Sequence, residues 1–442
     1  VTTPGAARRA SYGPSSPVVG ERGARTRQLL LDAALEQFAQ QGFHATVVDD
    51  IARAAGVSRA TLYQYFDSRE QIVTELLEEC GAALMRVVRR VGPLSATAQG
   101  FDNLHWWLGE WSYVYDKYAT MFIEWAHIDS PQTPLRPLIR RFVEGYTAQL
   151  AERISQSQVR GLDPERISIA LVTVIERFNY YRHVQETGVT DVQLLDTIAT
   201  CVQRLLFPTT PWADLVLAEP AAAEPLRRRR PSSALVSVPT QPSARLEGLT
   251  GSARESAEQL LSAGAQVFAT SGYAGSNVDQ ILAVAGLSRR TFYKYFENRL
   301  ELLVALSTRC ETAVAELATS FTLILQAPDR GVALRAWMTD YVAFHEAQGA
   351  VLRIWIEEPV DPRVQQAGQQ GAIALLKAFR SVLGSVPRPP GVSITAEAWL
   401  LLALVERFPH QAVGTSYEVQ GEPLVEVMSA FVERGLLSPA PD

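Results

Sequence analysis

The chain has 442 residues and a formal net charge of -6, so two domains with sizeable cores are expected. The acidic balance excludes nucleic-acid binding through the global field and leaves it to locally placed cations. No apolar run approaches the ~18 residues that would span a bilayer. Cys80, Cys201 and Cys310 have neither metal-ligand spacing nor disulfide density. Val1 to Gly23 is small, polar, Pro-rich and Arg-dotted, unlike a signal peptide, and a cytoplasmic protein is expected.

Residues 1–24 read as a disordered tail, whose arginines Arg8, Arg9 and Arg22 suit either a solvated segment or a loose arm on DNA phosphates. From 25 to 207 the pattern is helical, with breaks at Gly42, Gly56, Gly92-Pro93, Ser130-Pro131, Gly161 to Pro164 and Gly188. A long helix from Arg25 to Gln41 closes at Gly42. Residues 46–66, TVVDDIARAAGVSRATLYQYF, then read as helix, tight turn, helix. Thr46 can cap the first, with Asp49 completing a capping box. Ile51 and Ala55 give it an apolar face, Gly56 frees the turn, and Ser58 caps a second short helix. At 100° per residue Leu62, Tyr65 and Phe66 fall inward, while Ala60, Thr61, Tyr63 and Gln64 face away with Arg59 at the edge.

Further along, Trp107, Trp111, Tyr115, Phe122 and Trp125 form a stripe at helical spacing. Ordinary core explains each singly, whereas the stripe together leaves room for an apolar pocket. Ile167, Leu171, Val174, Ile175 and Phe178, then Val192, Leu195, Ala199, Val202 and Leu206, give the last two helices broad apolar faces suited to a partner. From 208 to 252 seven prolines and the block Arg227 to Arg230 mark a linker.

The second half, 253–437 before a short tail at 438–442, repeats the first at a constant offset of 230 positions. Residues 276–296, SNVDQILAVAGLSRRTFYKYF, place Ser276, Asp279, Gly286 and Ser288 in the roles of Thr46, Asp49, Gly56 and Ser58. Trp107 pairs with Trp337, Trp125 with Trp355, and Glu176-Arg177-Phe178 with Glu406-Arg407-Phe408. A constant offset over that distance means two copies of one whole domain. The copy's outward set is Arg290, Thr291, Tyr293 and Lys294, with Arg289 at the edge. Two departures stand out. Leu282 replaces Ala52 at a close helix contact and could tilt the second short helix, and Pro409 is expected to shorten the penultimate helix.

Helix, glycine turn and short second helix are the spacing of a helix-turn-helix. The form A-x-x-A-G-V-S-x-x-T-L-Y-x-Y-F, with the long helix before it and S-R-E after, resembles the TetR family of one-component bacterial regulators, and does so in both halves. The resemblance implies an all-α fold of two tandem TetR-like domains, each a three-helix head and a helical ligand-binding and dimerisation body. It implies that the short second helices read base edges, while Thr46, Tyr63 and Arg69, and Ser276, Tyr293 and Arg299, hold phosphates. Tyr65 and Tyr295 complete that candidate surface. It also implies an effector pocket, for which Trp107, Trp111, Tyr115, Phe122, Trp125 and Phe178, and Trp337, Tyr341, His345, Trp355 and Phe408, are the candidates. The closing helices would form a four-helix interface, here between the halves of one chain, with a further homodimer of whole chains left open.

No HExxH, GxSxG or GxxxxGK[ST] occurs, so neither enzyme, metal nor cofactor is expected. The expected function is a ligand-responsive regulator, a repressor, binding a pseudo-palindromic operator on double-stranded DNA with two non-identical heads and released by a small apolar or aromatic effector. The alternative is a helical ligand-binding or scaffold protein that no longer binds DNA specifically.

Overall fold

The computed structural model describes residues 21–43, 45–123, 135–215, 244–357, 360–412 and 419–441, and every regular element among them is helical. Of the sequence readings, the tail up to residue 20, most of the linker (216–243) and Trp125 lie outside the described residues. None of the described helices is long and apolar enough to cross a membrane.

In the first half the order is α1 (Glu21–Gln41), α2 (Val48–Ala54), α3 (Arg59–Tyr65), α4 (Arg69–Arg90), α5 (Ala98–Lys117), α6 (Ala119–Ile123), α7 (Arg136–Gln156), α8 (Pro164–Val184) and α9 (Asp191–Leu206). In the second it is α10 (Gly251–Ser271), α11 (Val278–Ala285), α12 (Arg289–Tyr295), α13 (Arg299–Phe321), α14 (Arg330–Glu357), α15 (Pro362–Gly384), α16 (Ile394–Ala412) and α17 (Glu422–Val432). Residues 21–24, read as tail, join α1. By backbone contacts the chain divides into two compact units, one of Val1–Arg90 with Glu110–Tyr146, the other of Val91–Gly109 with Thr147–Asp442.

In the first unit, Leu30, Ala34 and Phe38 of α1 bury against Ile51, Leu62, Phe66, Ile72 and Leu76. This is the amphipathic stripe that a three-helix head needs. Arg27 is buried in the same layer. It pairs with Glu75, donates to the Tyr65 carbonyl at 3.2 Å, and lies 4.5 Å over the Phe66 ring. The second head, in the other unit, packs the same way through Leu260, Leu261, Phe268, Ile281, Phe292, Phe296 and Leu302. There the positions of Arg27 and Glu75 are Ala257 and Ala305, both buried.

Also within the second unit, α8 packs along α16, α9 packs on α16 and on the turn at Glu433–Leu437, and α17 touches α8. The buried side chains are Ile167, Leu171, Val174, Ile175 and Phe178 from α8, with Leu400, Leu401, Leu404 and Phe408 from α16. Polar groups are set into this layer. Arg177 bonds Glu406 and lies 4.8 Å over Tyr181, whose ring packs tilted at 4.9 Å from that of Trp399. Trp399 donates its indole N–H to the Thr187 carbonyl at 3.2 Å. Arg434 donates to the Arg160 carbonyl at 2.7 Å, and Arg204 to the Ser438 carbonyl at 2.6 Å.

Two local readings are corrected. Val192 and Leu195 are only half-buried, because the face α9 buries is centred on Leu194, Ile198, Cys201 and Leu205. Pro409 does not end the penultimate helix: α16 runs through it to Ala412. Proline removes one N–H and crowds the preceding turn. Here the helix is held by α8, α9 and α15 around it, and packing outweighs the local preference.

Candidate functional site

Each head turns at a glycine in the left-handed region, Gly56 at φ 67° and Gly286 at φ 66°, where a side chain would be strained. Ser58 and Ser288 then cap the short helices, accepting the N–H of Thr61 at 3.0 Å and of Thr291 at 3.2 Å. The first helix of each motif is not capped as read. The N-cap of α2 is Val47, with no side-chain bond, and that of α11 is Asn277, which forms a capping box with Gln280. Thr46 and Ser276 turn inward instead. The Thr46 hydroxyl, 0% exposed, donates to the Gly42 carbonyl at 2.8 Å, and Ser276 donates to the Tyr273 carbonyl at 2.7 Å. A side-chain phosphate contact is closed to both in this conformation.

Asp49 and Asp279, read as capping groups, brace the motif across the turn. Arg59 reaches Asp49 at 3.2 Å, and Arg289 binds Asp279 through both carboxylate oxygens at 2.5 and 2.6 Å. On both short helices the fourth residue, Leu62 or Phe292, is buried, while Arg59, Ala60, Tyr63 and Gln64, and Arg289, Arg290, Tyr293 and Lys294, are exposed. Thr61 and Thr291 are half-buried. Leu282 is absorbed into the head core at 8% exposure without disturbing this frame. Tyr295 is 2% exposed and Tyr65 half-buried, so these two belong with the packing side. Tyr63 and Tyr293 stand out at 41% and 48% exposed.

Arg69 and Arg299 also differ from the reading. Arg69 donates to the carbonyls of Phe43 at 3.0 Å and Thr46 at 3.1 Å and lies 4.4 Å over the Phe43 ring. Arg299 donates to the carbonyls of Tyr273, at 2.8 Å, and Ser276, and lies 4.2 Å over the Tyr273 ring. Each guanidinium fastens the loop between the first two helices of its head to the start of the fourth. They are positioning residues. The signal that could have found them is the aromatic directly after the helix-ending glycine, Gly42-Phe43 and Gly272-Tyr273, 26 residues before each arginine.

In the first unit α4, α6 and α7 line a half-open cavity of about 270 Å³. Its wall is apolar, from Leu77, Met85, Met121, Leu138 and Phe142 among others, with Glu78 and Arg141 also lining it. Of the predicted pocket residues that are described, only Phe122 lines it. Trp111 and Tyr115 are core: Tyr115 stacks on Phe122 at 4.5 Å and on Trp111 at 5.8 Å, and Trp111 packs tilted against Phe122 at 5.7 Å. Trp107 is likewise buried core, and Phe178 and Phe408 lie in the α8–α16 layer. Trp337, Tyr341 and His345 are buried in the second half, while Trp355 is half-buried. Periodicity within one stripe missed Leu77, Met85, Met121, Leu138 and Phe142, which come from three different helices and meet only in the fold. Among the described residues no group of three or more His, Cys, Asp or Glu could hold a metal ion.

Two short helices presented on matched glycine-turn frames, each with a polar outward face, define a helix-turn-helix protein in duplicate. The family profile "Bacterial regulatory proteins, tetR family" matches residues 30–76 and again 260–306. Each of these two segments of the chain is thus similar to the N-terminal helix-turn-helix region of the TetR family. It is 47% identical over 64 residues to the HTH-type transcriptional repressor KstR2 of Rhodococcus jostii, covering 14% of this chain and 30% of that one. It is 46% identical over 59 residues, 13% of this chain and 30% of the other, to the putative mycofactocin biosynthesis transcriptional regulator MftR of Mycobacterium tuberculosis. The matches thus span 30% of the length of these curated relatives. Among solved structures, the transcriptional regulator FadR of Bacillus subtilis in complex with stearoyl-CoA aligns at 22% identity over 41% of this chain and 97% of that one, with a TM-score of 0.33.

Proposed function

We propose that the chain is a ligand-responsive transcriptional repressor, whose halves form an intramolecular pseudo-dimer and grip a pseudo-palindromic operator with two unlike heads. The observation that carries DNA binding is the repeated frame of α3 and α12, with the same pattern of burial from Ile51 to Gln64 and from Ile281 to Lys294. Tyr63, Gln64, Arg290 and Lys294 are all exposed, and an outward polar face next to a helix N-terminus suits groove and phosphate contacts.

Support for the pseudo-dimer is the layer between α8–α9 and α16–α17. It buries faces that separate subunits of such a regulator would otherwise bury between chains. Release follows if an apolar effector in the cavity among α4, α6 and α7 binds better to a conformation whose heads no longer fit the operator. The start of α4 carries the Arg69 clamp on the first head, so strain along that helix has a mechanical route to the reading surface.

The test is selection of binding sites from random-sequence DNA with the full chain, followed by gel retardation at increasing salt. A recovered site and a steep fall of affinity with salt are expected. Loss of retardation on changing Tyr63 and Tyr293 together to alanine supports the reading. Recovery of no preferred site, or indifference to that double change, would leave the scaffold alternative.

A further inference from the structure

The two halves differ at the place where the first forms its cavity. In the second half the corresponding helices are α13 and α15, which run against each other along their length. Between them sits Trp355. A Cβ added at Gly368 would lie 3.0 Å from its indole Cγ, and one added at Gly371 would lie 3.3 Å from Val314 Cγ1 and 3.7 Å from the indole Cζ3. The indole N–H donates to the Ser307 hydroxyl at 3.3 Å. The ring is therefore received in a notch cut by two glycines, with its one polar atom satisfied.

The first half lacks every part of that notch. At the positions of Gly368, Gly371 and Ser307 it has Leu138, Arg141 and Leu77, all three of them cavity-lining residues. Side chains of that size on α7 hold its backbone off α4, and Leu77 offers an indole N–H no acceptor. Gly81 lets the Phe142 ring close one wall, since a Cβ there would come 2.9 Å from Phe142 Cδ2. Trp125, the equivalent of Trp355, lies outside the described residues, but the glycine notch that seats Trp355 does not exist on α7.

We propose that the chain has one effector site: the first half takes an apolar ligand, and the second half carries a built-in tryptophan plug in the homologous groove. The regulatory role of the site rests on the function proposed above, whereas the count of sites does not. A duplicated regulator would thus respond to a single molecule per chain.

The test is equilibrium titration of the full chain with N-phenyl-1-naphthylamine, a neutral apolar fluorophore. One equivalent per chain is expected. Met85→Trp, and separately Leu138→Trp, should fill the first cavity and weaken that binding at least tenfold, while Trp355→Ala should raise the count to two. Zero or two equivalents in the unaltered chain, or a count still at one in Trp355→Ala, overturns the inference. Retardation with selected operator DNA, run on the same samples, separates it from the effector reading. One equivalent bound without DNA release sinks that reading and upholds the single site; two equivalents with release do the reverse.

Discussion

Arg290 and Lys294 stand where the first reading helix has Ala60 and Gln64. No hydrogen bond or ion pair engages the Arg290 guanidinium among the described residues, whereas its neighbour Arg289 is committed to Asp279. Glutamine suits the adenine edge, and arginine or lysine suits guanine N7 and O6. The operator half-sites should therefore differ, with guanine under the second head. Arg290→Ala should relax preference at one base position by about 1–3 kcal/mol, read by repeating the site selection; an unchanged preference would remove this assignment. Arg69→Ala should weaken all sequences alike, because it slackens the loop that aims the head, and its selected motif should stay the same. Helical period made the outward faces legible from sequence, since it depends only on residue spacing. The inward turn of Thr46, Ser276, Arg69 and Arg299 was hidden, because carbonyls from a loop 23 and 26 residues away converge on each arginine only once the head is folded.

At the scale of elements, the heads solve the same packing problem in two chemistries. The first buries an Arg27–Glu75 pair, where the second buries Ala257 and Ala305. Burial pulls the Arg27 pKa down, with the Glu79 carboxylate opposing. Leaving such a guanidinium without its partner costs about 3–5 kcal/mol, whereas replacing both members of a buried pair by apolar groups is often near neutral. Glu75→Ala should therefore destabilise the first head by that order, and Arg27→Ala with Glu75→Ala should recover most of the loss. Urea unfolding followed through each variant checks this; a double variant as unstable as the single one would show that the pair orders the head. The duplication itself was plain in the text, because the offset never changes. Its divergences were not. Pro409 is a helix breaker by residue type, yet it sits inside a helix that its neighbours hold.

For the whole molecule, the layer between the halves is apolar with charges sealed in it, and those charges set its pH response. Burial pushes the Glu397 carboxyl up to about 7 despite Arg388 at 2.9 Å and Arg204 at 3.9 Å, and burial raises Glu176 as well. The folded state then holds protons that the unfolded chain has released, so stability should fall as pH rises from about 4.5 to 7. Glu397→Gln should flatten that slope in thermal unfolding at stepped pH.

The Arg177–Glu406 pair lets the specificity of this layer be tested. A buried pair adds little net stability but penalises any register that leaves one charge alone. Arg177→Ala strands Glu406 close to Glu176 and should cost about 3–5 kcal/mol, while the exchange Arg177→Glu with Glu406→Arg should restore part of it by re-forming the pair. The replacement Arg177→Met with Glu406→Leu should keep or raise stability yet relax the choice of partner. Apolar faces without a charge to register them can pair between chains as readily as within one. Light scattering on size-exclusion fractions over a range of concentrations then reads the answer. Chains that stay single with the apolar replacement would assign the fidelity of pairing to shape and linker length, and chains that associate would assign it to these two side chains.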